Sequence, residues 1–123
     1  MQYEDIYKES LENDNFRKVL FTNKFSQVVL MSLLPGEEIG MEHHDVDQIL
    51  YITHGQGKAI VGGEEYQLRD GALVEVPAGT EHNFINTGLQ KLKLFTVYAP
   101  AEHPNGTIHK TKAEAEAAEA KET

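Results

Sequence analysis

Apolar and polar residues alternate in short segments along most of the chain. Residues 72–76 alternate before a Pro-x-Gly sequence, and residues 81–86 form a second short segment after it. Alternation predicts a β-strand with one buried face, because side chains two positions apart on a strand point the same way. Pro77 cannot donate a backbone hydrogen bond and Gly79 tolerates a positive φ, so a turn is predicted between the two segments.

Other segments of similar length also favour strands. They are residues 16–22, 26–34, 37–44, 48–53, 58–61, 64–68 and 89–98. Short strands separated by closely spaced turns are typical of a sandwich or barrel, so we expect an all-β fold of about eight to ten strands. The segment 37–44 is mostly polar, which is explained if it lines a hydrated or metal-containing cavity or lies exposed at a sheet edge.

The N-terminal residues 1–15 differ from this pattern. Four of them fit one face of a short helix: Tyr3, Ile6, Tyr7 and Leu11. Residues 1–15 are therefore expected to lie on the barrel, either as a short helix or as an irregular arm.

The composition changes again after Pro100. Residues 101–109 are loop-like, and residues 110–123 consist only of Ala, Glu, Lys and Thr. Ala, Glu and Lys favour helix, but the segment has no apolar stripe, so a frayed, charged helical tail is predicted. We expect a single barrel domain over residues 1–109, followed by this tail.

Composition and charge restrict the functional classes. A chain of 123 residues is the size of one domain, and its net charge of −9 argues against a nucleic-acid or anionic-membrane partner. The chain has no cysteine, which excludes disulfides, thiolate chemistry and a thiolate zinc site. No segment has the pattern of a transmembrane helix or a signal peptide, so a cytoplasmic setting is expected.

The segment around the Pro-x-Gly turn contains a complete sequence motif. It follows the pattern G-x5-P-x-G-x2-H-x3-N through Gly71, Pro77, Gly79, His82 and Asn86. This resembles the second motif of the cupins, whose first motif is G-x5-H-x-H-x3-E-x6-G. That pattern aligns with Gly36, Glu42, His43, His44, Gln48 and Gly55. The resemblance covers roughly residues 30–98 and implies a cupin double-stranded β-helix, a jelly-roll barrel.

Strand parity brings four ligand-bearing side chains together. Glu42 and His44 share a face and His43 points the opposite way, while Gln48 and His82 begin two further same-face sets. If these faces look into the barrel, two histidines, one carboxylate and one amide converge. Two histidines and a carboxylate are typical of a non-haem Fe(II) site.

The cupin resemblance supports a metal at the same positions. It implies metal ligation by His44 and His82, which match the motifs, whereas Glu42 and Gln48 replace the family's first histidine and its glutamate. We therefore predict one divalent ion, Fe, Mn, Ni or Zn, at these four residues. Two alternatives stay open: Gln48 orients a ligand without touching the metal, and His43 replaces Glu42 if a bulge reverses the facing.

Several other residues are candidates for the pocket. The predicted pocket residues are Phe84, Leu50 and Tyr98. Tyr98 and Asp47 are the candidate catalytic acid or base. His103 and His109 follow the last long strand and reach the barrel mouth only if the chain folds back.

Three functions remain open at this point. The first is a metalloenzyme with isomerase or lyase chemistry on a sugar or oxo-acid; the second is an Fe(II) dioxygenase; the third is a non-catalytic module that binds a small ligand through the metal. The expected ligand is a carboxylate or a sugar. A phosphosugar would need a nearby cation, for which the candidates are Lys58, Arg69, Lys91 and Lys93. A homodimer is expected, through pairing of N-terminal strands or of sheet edges, because a barrel of this kind leaves edges to cover.

Overall fold

The structure is a computed structural model that describes residues 1–122. Its elements are α1 (Ile6–Glu12), β1 (Arg17–Thr22), β2 (Gln27–Leu33), β3 (Asp47–His54), β4 (Gly57–Val61), β5 (Glu64–Leu68), β6 (Leu73–Val76), β7 (His82–Asn86), β8 (Leu92–Ala99), β9 (Ile108–His109) and α2 (Lys112–Glu122). Most of the predicted strand segments are confirmed within a few residues at each end.

The strands form two antiparallel sheets. The larger sheet has the order β6-β3-β8-β2-β1-β9, and the smaller has the order β5-β4-β7. Their facing sides bury one apolar core that includes Leu50 and Ile52 of β3, Phe84 of β7 and Leu94 of β8. The predicted all-β jelly roll with a short C-terminal helix is confirmed.

The interior changes from polar to apolar along the strands. Gln27, Tyr98 and Gln48 lie opposite one another on β2, β8 and β3, and all three are buried. Two residues further along these strands, the inward-facing positions include Val29 and Leu50, and both are buried in the core. One end of the barrel, called the mouth below, therefore has a polar interior.

The predicted strand over residues 37–44 is wrong. The segment makes only two isolated bridges, Glu38 with Ile85 and Glu42 with His82. Gly40 interrupts the extended conformation with a φ of 106°, which is accessible mainly to glycine. The alternating facing predicted for Glu42, His43 and His44 therefore assumed a regular strand that does not form.

The C-terminal residues lie on the barrel more closely than predicted. Residues 101–109 are not entirely loop, since β9 pairs with β1. The predicted helical tail is confirmed as α2, but Ala115 is buried in the core and Glu119 forms an ion pair with the buried Arg17 at 3.1 Å. Thr123 lies outside the described residues, and the boundary between domain and tail stays a prediction.

The N-terminal arm contains a helix, α1, but its buried face differs from the predicted one. Tyr7 and Leu11 are exposed, whereas Ser10 is buried and its hydroxyl lies 2.7 Å from that of Thr53. Just after the helix, the carboxylate of Asp14 accepts a hydrogen bond of 2.7 Å from the buried Lys93 of β8. Polar contacts thus attach the arm to the outer face of the large sheet.

Among the described helices, none has the length and apolar character needed to span a membrane.

We expect the Asp14–Lys93 contact to make stability depend on pH. Hydrogen bonds from Lys93 and Lys91 lower the pKa of Asp14 from 3.8 to about 2. The stabilisation is therefore present above pH 3.8 and is lost as the pH falls from 3.8 towards 2. Urea unfolding should show Asp14→Asn less stable than the wild type near neutral pH, with the difference shrinking over this acid range.

The matched control for Asp14 is Glu65→Gln, which removes one partner of the Lys58–Glu65 surface pair. Exposed pairs contribute little to stability, so this variant should unfold like the wild type. A constant deficit of Asp14→Asn from neutral pH to about pH 2 would contradict the linkage.

An apolar sheet edge is the best candidate for the interface of the predicted homodimer. Strand β6 ends the large sheet, and Leu73 on β6 and Ile49 on β3 are 68% and 47% exposed. Sedimentation at micromolar concentration should show a dimer that Leu73→Lys dissociates, because the lysine charge would lose its hydration in the interface. Leu89→Lys, at a 97% exposed position outside the strands, is the control. A monomeric wild type would refute the homodimer.

Candidate metal centre

Three side chains converge at the mouth of the barrel. Glu42, His44 and His82 each offer a ligand atom, and these atoms lie within 4.8 Å of one another. No other comparable group of three or more His, Cys, Asp or Glu residues is found within residues 1–120, whose side chains the structure describes. The cluster contains the two histidines and the carboxylate predicted from the sequence.

Backbone pairing places Glu42 beside His82. The Glu42 N–H donates to the His82 carbonyl at 2.9 Å, and the His82 N–H donates to the Glu42 carbonyl at 2.8 Å. The isolated bridge therefore holds Glu42 beside His82, as the predicted strand was expected to do. The turn after β6 fixes the third member, since the Gly79 N–H donates to the His44 carbonyl at 2.7 Å.

Hydrogen bonds at Nδ1 determine which nitrogen of each histidine faces the cluster. Nδ1 of His82 donates to the Thr80 carbonyl at 2.9 Å, and Nδ1 of His44 donates to a carboxylate oxygen of Glu102 at 2.8 Å. A neutral imidazole protonated at Nδ1 carries a lone pair at Nε2. The Nε2 atoms of His44 and His82 lie 3.2 and 3.8 Å from the same Glu42 oxygen.

This arrangement fits a shared metal ion. Ligand atoms bound about 2.1 Å from one ion lie about 3.0–3.4 Å apart in octahedral or tetrahedral geometry. The 3.2 Å between Nε2 of His44 and the Glu42 oxygen lies in this range, and the 3.8 Å between Nε2 of His82 and the same oxygen is somewhat longer. Without a cation, the buried Nε2 of His82 has no hydrogen-bond partner, and such an atom costs about 1–3 kcal/mol. A proton on His44 would bridge only His44 and Glu42, whereas one metal ion would satisfy both histidines.

Charges around His44 favour a cation at this point. Burial acts to lower the pKa of His44, but the hydrogen bond and negative charge of Glu42, reinforced by Glu102, outweigh it and raise the pKa above 6.5. The ring lies against His82 and Tyr98, with centroid separations of 5.2 and 5.8 Å. The cluster is therefore a partly enclosed site of negative potential.

Gln48 lies at the same mouth with one free oxygen. The side chain is buried, its Nε2 donates to the Tyr98 hydroxyl at 3.4 Å, and its Oε1 has no partner. An unpaired buried amide oxygen is a possible fourth ligand. The alternative in which Gln48 only orients another ligand stays open.

Other predicted site residues lie in different environments. His43 is exposed and outside the cluster, so the structure brings Glu42 and not His43 to the histidines. Asp47 is exposed and accepts a hydrogen bond from the Ala78 N–H at 3.0 Å, which ties it to the turn after β6. Phe84 and Leu50 are fully buried core residues, and Phe84 lies beside the His82 ring at 5.7 Å.

Tyr98 is central to the polar mouth. Burial raises the pKa of its phenol well above the ordinary value of 10, so the hydroxyl stays protonated. Its ring contacts the rings of His44 and His103, with centroid separations of 5.8 and 5.2 Å. Tyr98 can therefore donate a hydrogen bond to a ligand but is a poor base.

Residues after β8 complete the mouth, and the sequence motifs did not identify them. Glu102 is absent from the predicted set although it holds His44. His103 does fold back over the mouth, and burial together with the charge of Arg17 lowers its pKa to about 3. Nε2 of His103 is buried without a hydrogen-bond partner, and so is Nε of Arg17. Nη1 of Arg17 lies 3.2 Å from Nδ1 of His109. No motif spacing signals these residues, because they lie on an irregular segment.

Three of the four cations considered for a phosphosugar are paired away from the cluster. Lys58 pairs with Glu65, and Lys91 and Lys93 both pair with Asp14. Arg69 lines a surface groove with His54, at the far end of β3 from Gln48. These contacts do not favour a phosphate group at the histidine cluster.

The fold is a small two-sheet β-barrel, and the histidine and carboxylate cluster at its mouth is compatible with metal binding. A family model described as "Cupin domain" matches residues 29–98, and the chain belongs to the cupin family.

Relatives support this assignment. The chain is 48% identical over 122 residues to the uncharacterized protein YrkC of Bacillus subtilis, an alignment covering 94% of this chain and 66% of YrkC. It thus spans just under two thirds of that relative. The crystal structure of BH2720 from Bacillus halodurans matches with a TM-score of 0.92 at 41% identity, covering 94% of this chain and 93% of that one.

A predicted oxalate decarboxylase from Thermotoga maritima also has a similar structure. It matches with a TM-score of 0.60 at 28% identity, covering 64% of this chain and 70% of that one.

A single substitution tests whether Gln48 is a metal ligand. If its oxygen is a ligand, Gln48→Leu should weaken Zn²⁺ binding at least about tenfold, equivalent to about 1.4 kcal/mol, in a competition titration with a chelator. Gln90→Leu is the control, because Gln90 bonds His54 at the far end of β3. Unchanged affinity in Gln48→Leu would show that Gln48 does not contact the metal.

Proposed function

We propose that this cupin holds one divalent metal ion through Glu42, His44 and His82, with Gln48 as a fourth, weaker ligand. We propose further that it acts on a small oxo-acid or related carboxylate at that ion. One observation carries the proposal: both histidines donate from Nδ1 to fixed acceptors, which leaves both Nε2 atoms facing one carboxylate. Fe, Mn, Ni and Zn all accept this donor set.

The charge of the site favours an anionic ligand. Glu42 is the single carboxylate among the proposed ligands, so a divalent ion with these ligands would carry a net charge of about +1, which the nearby carboxylate of Glu102 offsets in part. A carboxylate would balance that charge. A phosphosugar would need a nearby cation, and three of the four candidate cations are paired elsewhere. The Thermotoga relative, named as a predicted oxalate decarboxylase, supports the same ligand class.

A bound metal would act as a Lewis acid that polarises an oxygen of the ligand. The chain itself would supply position and hydrogen bonds. Tyr98 presents a protonated hydroxyl at the mouth, and Gln48 lies within 3.4 Å of it. The apolar floor formed by Leu50 and Phe84, both fully buried, excludes water beneath the ligand.

Lyase chemistry fits the available side chains better than isomerase chemistry. An isomerase that moves a proton between carbons needs a side-chain base beside the ligand. Of the two candidates, Tyr98 stays protonated and Asp47 is exposed and bonded to the turn at Ala78. Decarboxylation of an oxo-acid whose carbonyl lies β to the carboxylate begins with the loss of CO2 and not of a proton, and the carbon left behind then takes up a proton. This lyase reaction therefore does not depend on such a base.

An Fe(II) dioxygenase is the second candidate function. Glu42, His44 and His82 are two histidines and one carboxylate, the set associated with non-haem Fe(II) oxygenases. Metal identity decides between the two: iron favours oxygen chemistry, whereas manganese, nickel or zinc favours the lyase. A non-catalytic module that binds the same carboxylates is the outcome if no turnover is found.

Metal analysis of protein purified without a histidine tag tests the proposal. We expect about one metal ion per chain in the wild type and almost none in a His44→Ala/His82→Ala variant, because two of the ligands are lost. His54→Ala is the matched control, since His54 lies at the far end of β3. Metal retained by the double variant, or a wild type that takes up none on titration, would refute the site.

The substrate class is tested on the metal-loaded protein. A panel of oxalate, other oxo-acids and sugar phosphates should show binding or turnover for the carboxylates, both lost in the double variant. Preference for sugar phosphates over every carboxylate would contradict the proposed ligand class.

A further inference from the structure

The segment between β8 and β9 brings a second carboxylate to the cluster. Glu102 accepts a 2.8 Å hydrogen bond from Nδ1 of His44, on the side of the ring opposite Glu42. The carboxylate is partly enclosed, with 27% of its side chain exposed. His44 is therefore held between two glutamates, each bonded to a different ring nitrogen.

Gln27 fixes the backbone that carries this carboxylate. Its side-chain oxygen accepts hydrogen bonds from the N–H groups of Glu102 and His103, at 3.2 and 3.0 Å. Its side-chain nitrogen donates to the His103 carbonyl at 2.7 Å and to the Thr22 hydroxyl at 2.9 Å. Gln27 is fully buried, so one side chain of β2 holds the segment over the mouth.

We propose that Glu102 is a positioning residue for the metal centre and that Gln27 holds it in place. The inference rests on the proposed function, since it assigns a role in metal binding through His44. As the acceptor for Nδ1, Glu102 keeps the proton on that nitrogen and the lone pair on Nε2, facing Glu42. A carboxylate in this place also makes the imidazole a stronger donor to a metal.

The two histidines are anchored differently, which makes the effect specific to His44. His82 donates to the neutral carbonyl of Thr80, whereas His44 donates to the carboxylate of Glu102. His82 also belongs to β7 and pairs through its backbone with Glu42, while His44 lies outside the strands. The more weakly supported histidine is thus the one that Glu102 holds.

A purely structural role for Glu102 is less favoured by the contacts. If the Glu102–His44 bond served only to hold the segment, it would duplicate the three hydrogen bonds that Gln27 makes to Glu102 and His103. Removing the charge of Glu102 should therefore affect the metal more than the fold.

The test measures Co²⁺ binding in solution by chelator competition and by the visible absorption of the bound ion. Glu102→Gln keeps an oxygen acceptor but loses the charge, and we expect it to weaken Co²⁺ binding about 10–100-fold, as is typical for partners of metal-bound histidines. Glu102→Ala should weaken it further. A shifted absorption band in Glu102→Gln would report an altered ligand field, which a structural role would not produce.

Two further variants serve as a control for Glu102 and as a test of Gln27. Glu119→Gln removes a carboxylate that pairs with Arg17 outside the metal cluster and should leave Co²⁺ affinity within about twofold of wild type. Gln27→Met keeps the side-chain size but frees the segment, and it should weaken Co²⁺ binding while leaving the Glu102 carboxylate intact.

The outcomes separate this inference from the proposed function. Thermal unfolding of the metal-free proteins should place Glu102→Gln close to the wild type. If the wild type binds Co²⁺ and Glu102→Gln binds it equally well with the same spectrum, the positioning role is refuted and the metal site stands. If the wild type binds no Co²⁺, both fail.

Discussion

The mouth of this barrel is organised by one electrostatic constraint. Two imidazole nitrogens that carry lone pairs face one carboxylate oxygen, at 3.2 and 3.8 Å. Negative charge and lone pairs repel at such distances in a partly buried environment, so the arrangement is stable only with positive charge among them. A proton satisfies one histidine, and a divalent ion satisfies both. The proposals for metal binding, for the ligand class and for Glu102 all rest on this arrangement.

The rest of the fold holds the three groups in place. The backbone bridge between Glu42 and His82 fixes one pair, and the bond from Gly79 to the His44 carbonyl fixes the third residue against the turn after β6. Carbonyl and carboxylate acceptors orient the two rings from behind. The close packing of the apolar core below, where Leu50 and Phe84 are fully buried, keeps these supports rigid.

Much of the fold and the three members of the histidine and carboxylate cluster could be predicted from the sequence, for physical reasons. Alternation marks strands with one buried face, and the motif through Gly71, Pro77, Gly79, His82 and Asn86 marks a turn that only certain residues can form. His44 and His82 were placed by that motif and its partner. Glu42 lies beside the two histidines although the strand assumed for it does not form, because a single bridge to His82 gives the same pairing.

The missed features share a different cause. The irregular path of residues 37–44 depends on the conformation of Gly40, which no periodicity shows. Glu102, His103 and Gln27 come together only when the chain returns over the mouth after β8, a contact between residues about 75 positions apart. Local patterns carry no information about such contacts. The buried side of α2 was missed because one alanine is too small to mark an apolar stripe.

Anomalous diffraction from crystals grown with the metal found in the purified protein would show whether Glu42, His44 and His82 hold that metal. We expect one anomalous peak about 2.0–2.3 Å from Nε2 of His44, Nε2 of His82 and a carboxylate oxygen of Glu42. An empty cluster would contradict it, as would a peak only at another pair such as His54 and Asp70, which lie 3.4 Å apart.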